Sequence, residues 1–270
     1  ILQEVSTPEV DDVIRISDDS SRGSGKIKHE HLPPAFCILA AGIGSRLHPL
    51  TNKTPKCCIE VSGKSIIRRI TDQLLICDPH MEIIVVAGYK FHIVNNEMKE
   101  YPENVILIEN KEYLSTNNME SCRIGIGRRK TSAMGCMIIN GDCVYSQSII
   151  QKMYESDSSC IATDSSTYNE ENMKVLCSNK KAIEISKSIT ESQGGITAID
   201  LYNFTKRDID ILNSIMENYN KSGDRNKWTE VAINDLLSFQ GTSISLLDFS
   251  GEKWMEIDNH DDLEKARNLW

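Results

Sequence analysis

The chain has 270 residues and a formal net charge of −9, with 40% hydrophobic and 26% charged residues. This length is enough to bury a sizeable core, and the acidic balance argues against a nucleic-acid partner, because phosphate contacts need a basic face. No apolar run approaches the roughly 18–20 residues that a membrane-spanning helix needs, so we expect no membrane span.

Cysteine usage and the first residues bear on location. The nine cysteines fall mostly within apolar stretches and never form a C-x-x-C pair, which predicts reduced, buried thiols. The chain also begins with no signal-peptide pattern, so we expect a cytoplasmic protein. Because residue 1 is not Met, we expect either a piece of a longer protein, which leaves room for a fused domain ahead of residue 1, or a processed amino terminus.

The amino-terminal segment differs from the rest of the chain. Residues 1–34 are rich in Ser, Asp and Lys and end in two prolines, with no hydrophobic periodicity. Such a composition predicts a flexible linker or tether. We therefore place a single folded domain at residues 35–270.

From residue 36 onward, apolar strands alternate with amphipathic helices. In chain order the patterns predict a strand at 36–41, a helix at 66–75, strands at 82–88 and 104–110, a helix at 117–129, a strand at 135–142 and a helix at 148–156. All-apolar strands alternating with helices are typical of an α/β protein with a doubly wound, mostly parallel, Rossmann-like sheet.

The pattern changes after residue 156. Short strands at 173–177, 181–186 and 194–200, separated by turn residues, predict a small antiparallel insertion. The remaining predicted elements are helices at 206–220 and 228–239, strands at 243–249 and 253–258, and a helix at 260–270.

The loop after the first strand, AAGIGSRLHPLTNKTPKCCIEVSGK (40–64), combines three glycines with one arginine and three lysines. Bare backbone lets N–H groups approach a polyphosphate that a Cβ would block. Arg46 can fork onto two phosphate oxygens, and Lys56 follows a proline that stiffens the loop. The spacing matches neither the P-loop nor the dinucleotide motif, and the alternative is a tight turn with solvated cations.

The longer string LAAGIGSRLHPLTNKTPKCCIEVSGKSII resembles the signature of the nucleotidyltransferase superfamily that includes the sugar-1-phosphate nucleotidylyltransferases. Nearly every specified position of L-A-A-G-x-G-[ST]-R-[LM]-x-P-L-T-x-x-x-P-K-x-x-x-x-V-x-G-K is met. VVAGYK, NKEYLSTNNMESCRIG, NGDCVYS and WMEIDNHDDLEKA resemble the branch that holds the phosphocholine and 2-aminoethylphosphonate cytidylyltransferases. The likeness covers about residues 36–270 and implies a fold of the nucleotide-diphospho-sugar transferase type.

The resemblance implies a magnesium-dependent nucleotidyltransferase. CMP would pass from CTP to 2-aminoethylphosphonate, phosphocholine or phosphoethanolamine, with release of pyrophosphate. One alternative is a sugar-1-phosphate or inositol-phosphate nucleotidylyltransferase. A second, from another class, is a non-catalytic nucleotide-sensing regulatory domain, which would be expected to lose a charged residue that the chain retains.

The resemblance also implies roles for individual residues. Arg46 would hold the leaving pyrophosphate, Lys56 the α-phosphate, and Lys174 and Lys187 the acceptor phosphate, although solvated strand positions are an alternative for these last two. Asp142, at the end of an apolar strand where active-site acids of open sheets lie, would bind Mg²⁺ together with Asp258. Helix capping is the alternative for both acids. The nucleotide would contact Leu39, Ala40, Ala41, Gly42, Gly44, Ser45, Gly88, Tyr89, Asn118 and Ser121, with a helix-surface position as the alternative for the last two.

The acceptor is harder to predict. A choline headgroup needs an aromatic cage, whereas a primary ammonium needs carboxylates. The loop TYNEEN (167–172) is acid-rich where the phosphocholine enzymes carry an aromatic residue, which favours an aminoalkyl phosphonate or phosphate. The candidate wall residues are Tyr168, Glu170, Glu171, Trp228, Glu230 and Trp254. Trp228 keeps choline open, with a core position as its alternative.

Overall fold

A nine-stranded sheet runs through the molecule, and helices cover both of its faces. The computed structural model describes residues 34–130 and 134–270. The predicted tether at residues 1–34 therefore lies outside the described residues, apart from Pro34. Among the described helices, none is long and apolar enough to cross a bilayer.

The strands are β1 (Ala35–Ala40), β2 (Glu60–Val61), β3 (Lys64–Ser65), β4 (Ile83–Ala87), β5 (Val105–Glu109), β6 (Gly135–Asn140), β7 (Cys143–Tyr145), β8 (Cys160–Asp164), β9 (Lys174–Ser178), β10 (Lys181–Ser186), β11 (Ile196–Thr205), β12 (Ser245–Asp248) and β13 (Trp254–Glu256). The helices are α1 (Ile66–Cys77), α2 (Phe91–Met98), α3 (Asn118–Arg128), α4 (Gln147–Tyr154), α5 (Lys206–Ser222), α6 (Thr229–Leu237) and α7 (His260–Leu269).

The sheet is mixed, with strand order β5-β4-β1-β6-β11-β8-β12-β10-β9. The first four strands are all parallel. β11 runs antiparallel to both β6 and β8, β12 is parallel to β8, and β10 is antiparallel to β12 and β9. The carboxyl ends of β5, β4, β1 and β6 therefore meet at one edge of the sheet.

β1 shows why its sequence is apolar throughout. Phe36, Ile38 and Ala40 pack into the core under α1, α2, α4 and α7, whereas Cys37 and Leu39 pack into the core under α3, α5 and α6. Successive side chains of a strand point to opposite faces, so a strand covered on both faces needs an unbroken apolar run. The predicted α/β, Rossmann-like architecture is confirmed. The sheet is mixed rather than mostly parallel, because β9, β10 and β11 pair antiparallel with their neighbours.

The predicted small antiparallel insertion differs from what the structure forms. β10 and β9 follow β12 in the main sheet, and β9 also pairs with β11, a ten-residue strand that lies between β6 and β8. The predicted strand at 194–200 ends at Asp200, whereas β11 continues to Thr205. Within β11 the register breaks between Ala198 and Tyr202, where Asp200 adopts a positive φ of 56°. β8 and α2 were not predicted, because both are short and interrupted by polar residues.

The predicted burial of the cysteines is correct for most of them. All nine are free thiols, but Cys77 is half-buried and Cys177 is exposed. Cys177 lies in β9, at the end of the sheet, where one side of the strand is open to solvent.

Candidate active site

The parallel edge of the sheet opens into a cavity of about 360 Å³. Ala41 follows β1, Asn110 follows β5 and Asn140 ends β6, and all three line the cavity. This is the position at which open α/β sheets bind ligands, beyond the carboxyl ends of their strands. Of the predicted site residues, the cavity is lined by Leu39, Ala41, Gly42, Gly44, Ser45, Arg46, Lys56, Asn118, Ser121, Asp142, Glu171, Lys187, Trp228, Glu230 and Asp258.

The two glycines of the turn after β1 serve different needs. Gly44 has φ +69°, and a Cβ on it would lie 2.9 Å from Cβ of Lys56, so the fold itself requires glycine there. Gly42 has no such requirement, because a Cβ at this position would meet nothing within 4 Å. Its exposed backbone faces the cavity, as expected where a ligand approaches the main chain closely.

Two acids from distant segments converge on Lys56. Its Nζ lies 2.7 Å from Oδ2 of Asp142 and 2.7 Å from Oδ1 of Asp258. The other Asp258 oxygen, Oδ2, lies 2.7 Å from a guanidinium nitrogen of Arg46. The sequence predicted these four residues in one site, and the structure brings them into direct contact.

The electrostatics of this group follow from its burial. Burial disfavours the charged ammonium of Lys56, but the carboxylates of Asp142 and Asp258 outweigh it and raise the pKa of Lys56. Burial likewise opposes ionisation of Asp258, yet Lys56 and Arg46 lower its pKa below the ordinary value. The lysine and this aspartate are therefore ionised together at neutral pH.

Glu256 completes the acidic group and was missed from the sequence. It lies on β13 two residues before Asp258, and oxygens of Asp142, Glu256 and Asp258 lie within 4.8 Å of one another. Asn172 donates a hydrogen bond of 2.7 Å to Glu256. Burial and the charges of Asp200 and Asp142 raise the pKa of Glu256 to about 10. The spacing Glu-x-Asp was the available signal, because residues i and i+2 of a strand share a face.

These carboxylates fit a magnesium ion. Hard oxygen donors are the ligands that Mg²⁺ prefers, and it uses few of them when phosphates supply the rest. The ammonium of Lys56 contacts two of the acids, which indicates that a cation is favoured at this position. The capping alternatives are wrong, because α4 begins after Ser146 and α7 is capped by Asn259.

On another side of the cavity, polar groups gather around α3. Asn110 is buried and donates hydrogen bonds to Ser121 (3.0 Å) and Thr116 (3.3 Å). The side chain of Asn118 accepts a hydrogen bond of 2.9 Å from the backbone of Thr229. Asn118 and Ser121 are therefore not plain helix-surface residues. Asn110 was missed, although its place directly after a parallel strand was a usable signal.

Three residues predicted to contact the nucleotide lie outside the cavity lining. Ala40 is buried in the core, and Tyr89 donates its hydroxyl to the Thr51 carbonyl and its backbone N–H to Ala41. A Cβ on Gly88 would lie 2.6 Å from Cβ of Tyr113. Gly88 thus lets Tyr113, which does line the cavity, pack closely against the loop.

At the end of the cavity predicted for the acceptor, buried acids face an aromatic ring. Glu230 and Asp200 both accept hydrogen bonds from the Tyr202 hydroxyl, at 2.8 and 3.4 Å. Burial and the charge of Glu230 raise the pKa of Asp200 to about 8, and burial raises the pKa of Glu230. Lys187 Nζ lies 5.1 Å from the centre of the Trp228 ring, which is 44% exposed and therefore not a core residue.

Four predicted acceptor-side residues are placed elsewhere. Lys174 is 1% exposed, so it is neither a solvated strand residue nor a cavity residue, and its ammonium donates 2.8 Å to the Glu170 carbonyl. The Tyr168 ring lies over the same ammonium, and Glu170 contributes backbone rather than a cavity wall. Trp254 donates to Asp164 (2.8 Å) beside a second cavity.

A turn of bare backbone and cations that faces a group of acids across the carboxyl edge of an α/β sheet defines a nucleotide-transferring class of protein. The comparison with family models agrees: residues 36–204 match the MobA-like NTP transferase domain. The chain belongs to this family, and the resemblance predicted from the sequence is confirmed.

Two curated relatives are cytidylyltransferases. A 2-aminoethylphosphonate cytidylyltransferase of Lancefieldella rimae is 40% identical over 84 residues, which are 31% of this chain and 33% of that protein. A CTP:phosphoglutamine cytidylyltransferase of Campylobacter jejuni is 35% identical over 119 residues, 43% of this chain and 46% of that one. These alignments thus span between a third and a half of each relative.

Among solved structures, a CTP:phosphocholine cytidylyltransferase from Streptococcus pneumoniae superposes with a TM-score of 0.71. The match covers 88% of this chain and 99% of that one at 19% identity. At this identity the likeness establishes a shared fold.

Proposed function

We propose that the chain is a cytidylyltransferase that transfers CMP from CTP to a small phosphate or phosphonate bearing an amine, with release of pyrophosphate. One observation carries the proposal. The loop after β1 brings Arg46 and Lys56 to a cavity where they contact the acidic group of Asp142, Glu256 and Asp258. A triphosphate needs such cations, and a magnesium ion needs such acids.

In this proposal an oxygen of the acceptor attacks the α-phosphorus of CTP. The new O–P bond forms while the bond to the β-phosphate oxygen breaks, and pyrophosphate carries away the electron pair. Arg46 would steady the leaving pyrophosphate and Lys56 the α-phosphate, because charge grows on both in the transition state. A phosphonate or phosphate dianion needs no general base, so no nucleophilic side chain is required.

Asp142, Glu256 and Asp258 would hold the magnesium ion. When bound, Mg²⁺ would neutralise phosphate charge and act as a Lewis acid. The proposed nucleotide contacts that line the cavity are Leu39, Ala41, Gly42, Gly44, Ser45, Asn118 and Ser121.

The acceptor end of the cavity supports an amine-bearing substrate. Glu230 and Asp200 are buried acids that line it, and Trp228 adds an exposed aromatic face. An ammonium would pair with these acids and favour their ionised forms, whereas the hydroxyls of a hexose or inositol ring carry no charge that could do so. Retention of Arg46, Lys56 and the acids is also against a purely sensing domain.

A pyrophosphate-release screen tests the proposal. CTP, UTP, dTTP, ATP and GTP are crossed with 2-aminoethylphosphonate, phosphocholine, phosphoethanolamine, inositol phosphate and glucose-1-phosphate, with Mg²⁺ present. We expect the highest turnover with CTP and an amine-bearing acceptor. Equal or better turnover of glucose-1-phosphate with UTP would overturn the acceptor assignment, and no turnover of any pair would favour the sensing domain.

Asp142→Asn tests the metal site within the same screen, because it removes the charge of Asp142 but keeps the shape of the side chain. Its rate should fall by roughly 10²–10⁴-fold, the scale expected when a key charge stabiliser is lost. A normal rate in this variant would remove Asp142 from the proposed metal site.

A further inference from the structure

The acids proposed to bind magnesium are engaged by two cations of the protein itself. Lys56 Nζ contacts one oxygen of Asp258, and Arg46 contacts the other, both at 2.7 Å. The same ammonium lies 2.7 Å from Asp142. Both oxygens of Asp258 therefore already have a cationic partner, and a metal ion that binds this carboxylate must either share it with these cations, against their charge, or displace one of them.

Lys56 is the stronger competitor of the two. Its side chain is only 11% exposed, against 54% for Arg46. Ion pairs with little solvent around them are screened less than exposed ones. Lys56 also holds two carboxylates at once, from positions 86 and 202 residues away in the sequence, whereas the second contact of Arg46, to Glu171, is 3.7 Å long and exposed.

The ammonium also has a second possible partner within reach. Lys56 lines the cavity together with Gly42, Gly44 and Ser45, the turn that would hold phosphates in the proposed function. Two phosphate charges near this turn would attract the ammonium away from the acids. Proline at position 55 restricts the backbone ahead of Lys56, and we expect the exchange to occur by movement of the flexible lysine side chain.

We propose that the Lys56 ammonium competes with the metal ion for Asp142 and Asp258 and leaves them when a nucleotide's phosphates bind. The inference rests on the proposed function for the identity of the nucleotide. Its consequence is positive coupling: nucleotide binding makes the acids available to the metal, and the metal favours the form that binds nucleotide. By linkage each ligand raises the affinity for the other by the same factor.

A titration with Mn²⁺ as the probe, without nucleotide, tests the competition directly. Lys56→Met removes the ammonium but keeps a buried side chain of similar length. We expect the dissociation constant for Mn²⁺, measured by calorimetry, to fall by about tenfold or more, within the usual range of coupling between sites. Lys56→Arg keeps a cation and should bind Mn²⁺ as weakly as the unchanged protein.

Lys152→Met is the matched control, because Lys152 forms a 3.0 Å ion pair with Glu252 and does not line the cavity at the parallel edge. It should leave the Mn²⁺ affinity unchanged. If Lys56 only holds the two acids in position, Lys56→Met will weaken Mn²⁺ binding or leave it unchanged, and either result overturns the proposal.

Removal of a buried cation between two acids can also prevent folding. Lys56→Gln, whose amide can still donate to one carboxylate, then replaces Lys56→Met in the titration, with the same expected result. In thermal unfolding, Mn²⁺ should raise the melting temperature of Lys56→Gln more than that of the unchanged protein, because stabilisation follows affinity. An equal rise in both proteins would contradict the competition.

The Mn²⁺ titration and the activity screen test the two proposals independently. If the unchanged protein transfers no nucleotide to any acceptor, the proposed function is wrong, but the Mn²⁺ affinities still decide whether Lys56 competes with a metal. If turnover is normal and Lys56→Met binds Mn²⁺ no more tightly, the function stands and the competition is wrong.

Discussion

At the scale of single residues, the two glycines of the turn after β1 have different roles: Gly44 is required by the fold, whereas Gly42 is expected to let a ligand approach the backbone. Gly44 has a positive φ and little room, whereas Gly42 has neither constraint. Gly42→Ala should therefore fold normally, with stability unchanged or up to about 1 kcal/mol higher, since alanine reduces the freedom of the unfolded chain. We expect its affinity for CTP to fall by at least about tenfold, which corresponds to about 1.4 kcal/mol.

Gly44→Ala is the partner variant. Its Cβ would press on Lys56 in a left-handed conformation, so it should lower the melting temperature clearly. Calorimetric CTP binding and thermal unfolding, measured on both variants, give the comparison. Normal CTP affinity in Gly42→Ala would show that nucleotide does not approach this backbone.

Some residues of the site could be predicted from the sequence and others could not. Arg46, Lys56, Asp142 and Asp258 were predicted because they occupy specified positions of a long motif or the end of a strand. Asp200 was missed because it lies within an apolar segment that reads as a core strand, and only its positive φ and the register break set it apart. A positive φ and a break in strand register are not visible in a single sequence.

At the scale of elements, helix α3 contains two glycines in different surroundings. A Cβ on Gly125 would lie 2.2 Å from the Cys37 sulfur and 3.0 Å from Val86, so this glycine lets α3 approach β1 and β4 closely. Gly127 is exposed, and a Cβ there would meet nothing within 4 Å. The same helix thus contains one glycine that packing requires and one that it does not.

Alanine at these two positions should have opposite effects on the free energy of unfolding. Gly125→Ala overpacks the core and should lose about 1–3 kcal/mol, whereas Gly127→Ala should gain up to about 1 kcal/mol from helix propensity. Urea unfolding followed by circular dichroism measures both. Cys37→Ala combined with Gly125→Ala should recover part of the loss; full additivity of the two changes would contradict this contact.

The strands of the sheet were predictable to different degrees. β1, β4 and β6 were predicted because two-sided burial requires continuous apolar runs. The edge strand β5 is only half-buried but has a similar apolar run. The short strands predicted at 173–177, 181–186 and 194–200 were assigned to an antiparallel insertion because turn residues separate them. Such a pattern does not specify which sheet a strand joins. Pairing of β11 with β6 and β8 depends on long-range contacts between apolar faces.

At the scale of the whole molecule, buried acids make stability depend on pH. Burial, Glu230 and Asp142 raise the pKa of Asp200 to about 8 from an ordinary value of 3.8. Between these values the folded protein holds a proton that the unfolded chain releases, so this group lowers stability as pH rises toward 8. Above pH 8 the loss levels off, because Asp200 is then ionised in both states.

Asp200→Asn isolates this contribution, because asparagine keeps the shape and tolerates the positive φ better than most residues. Without divalent cations, the variant should melt higher than the unchanged protein, and the difference should grow by at least about 3 °C from pH 5 to pH 8. The charge of Asp200 also raises the pKa of Glu256, so the variant loses part of that shift too, and the difference grows in the same direction. Asp258, whose pKa is lowered, loses its proton below this range. Thermal unfolding in EDTA at the two pH values measures the difference. A constant difference would mean that Asp200 is already ionised at pH 5, and the acceptor end of the cavity would then carry a permanent negative charge.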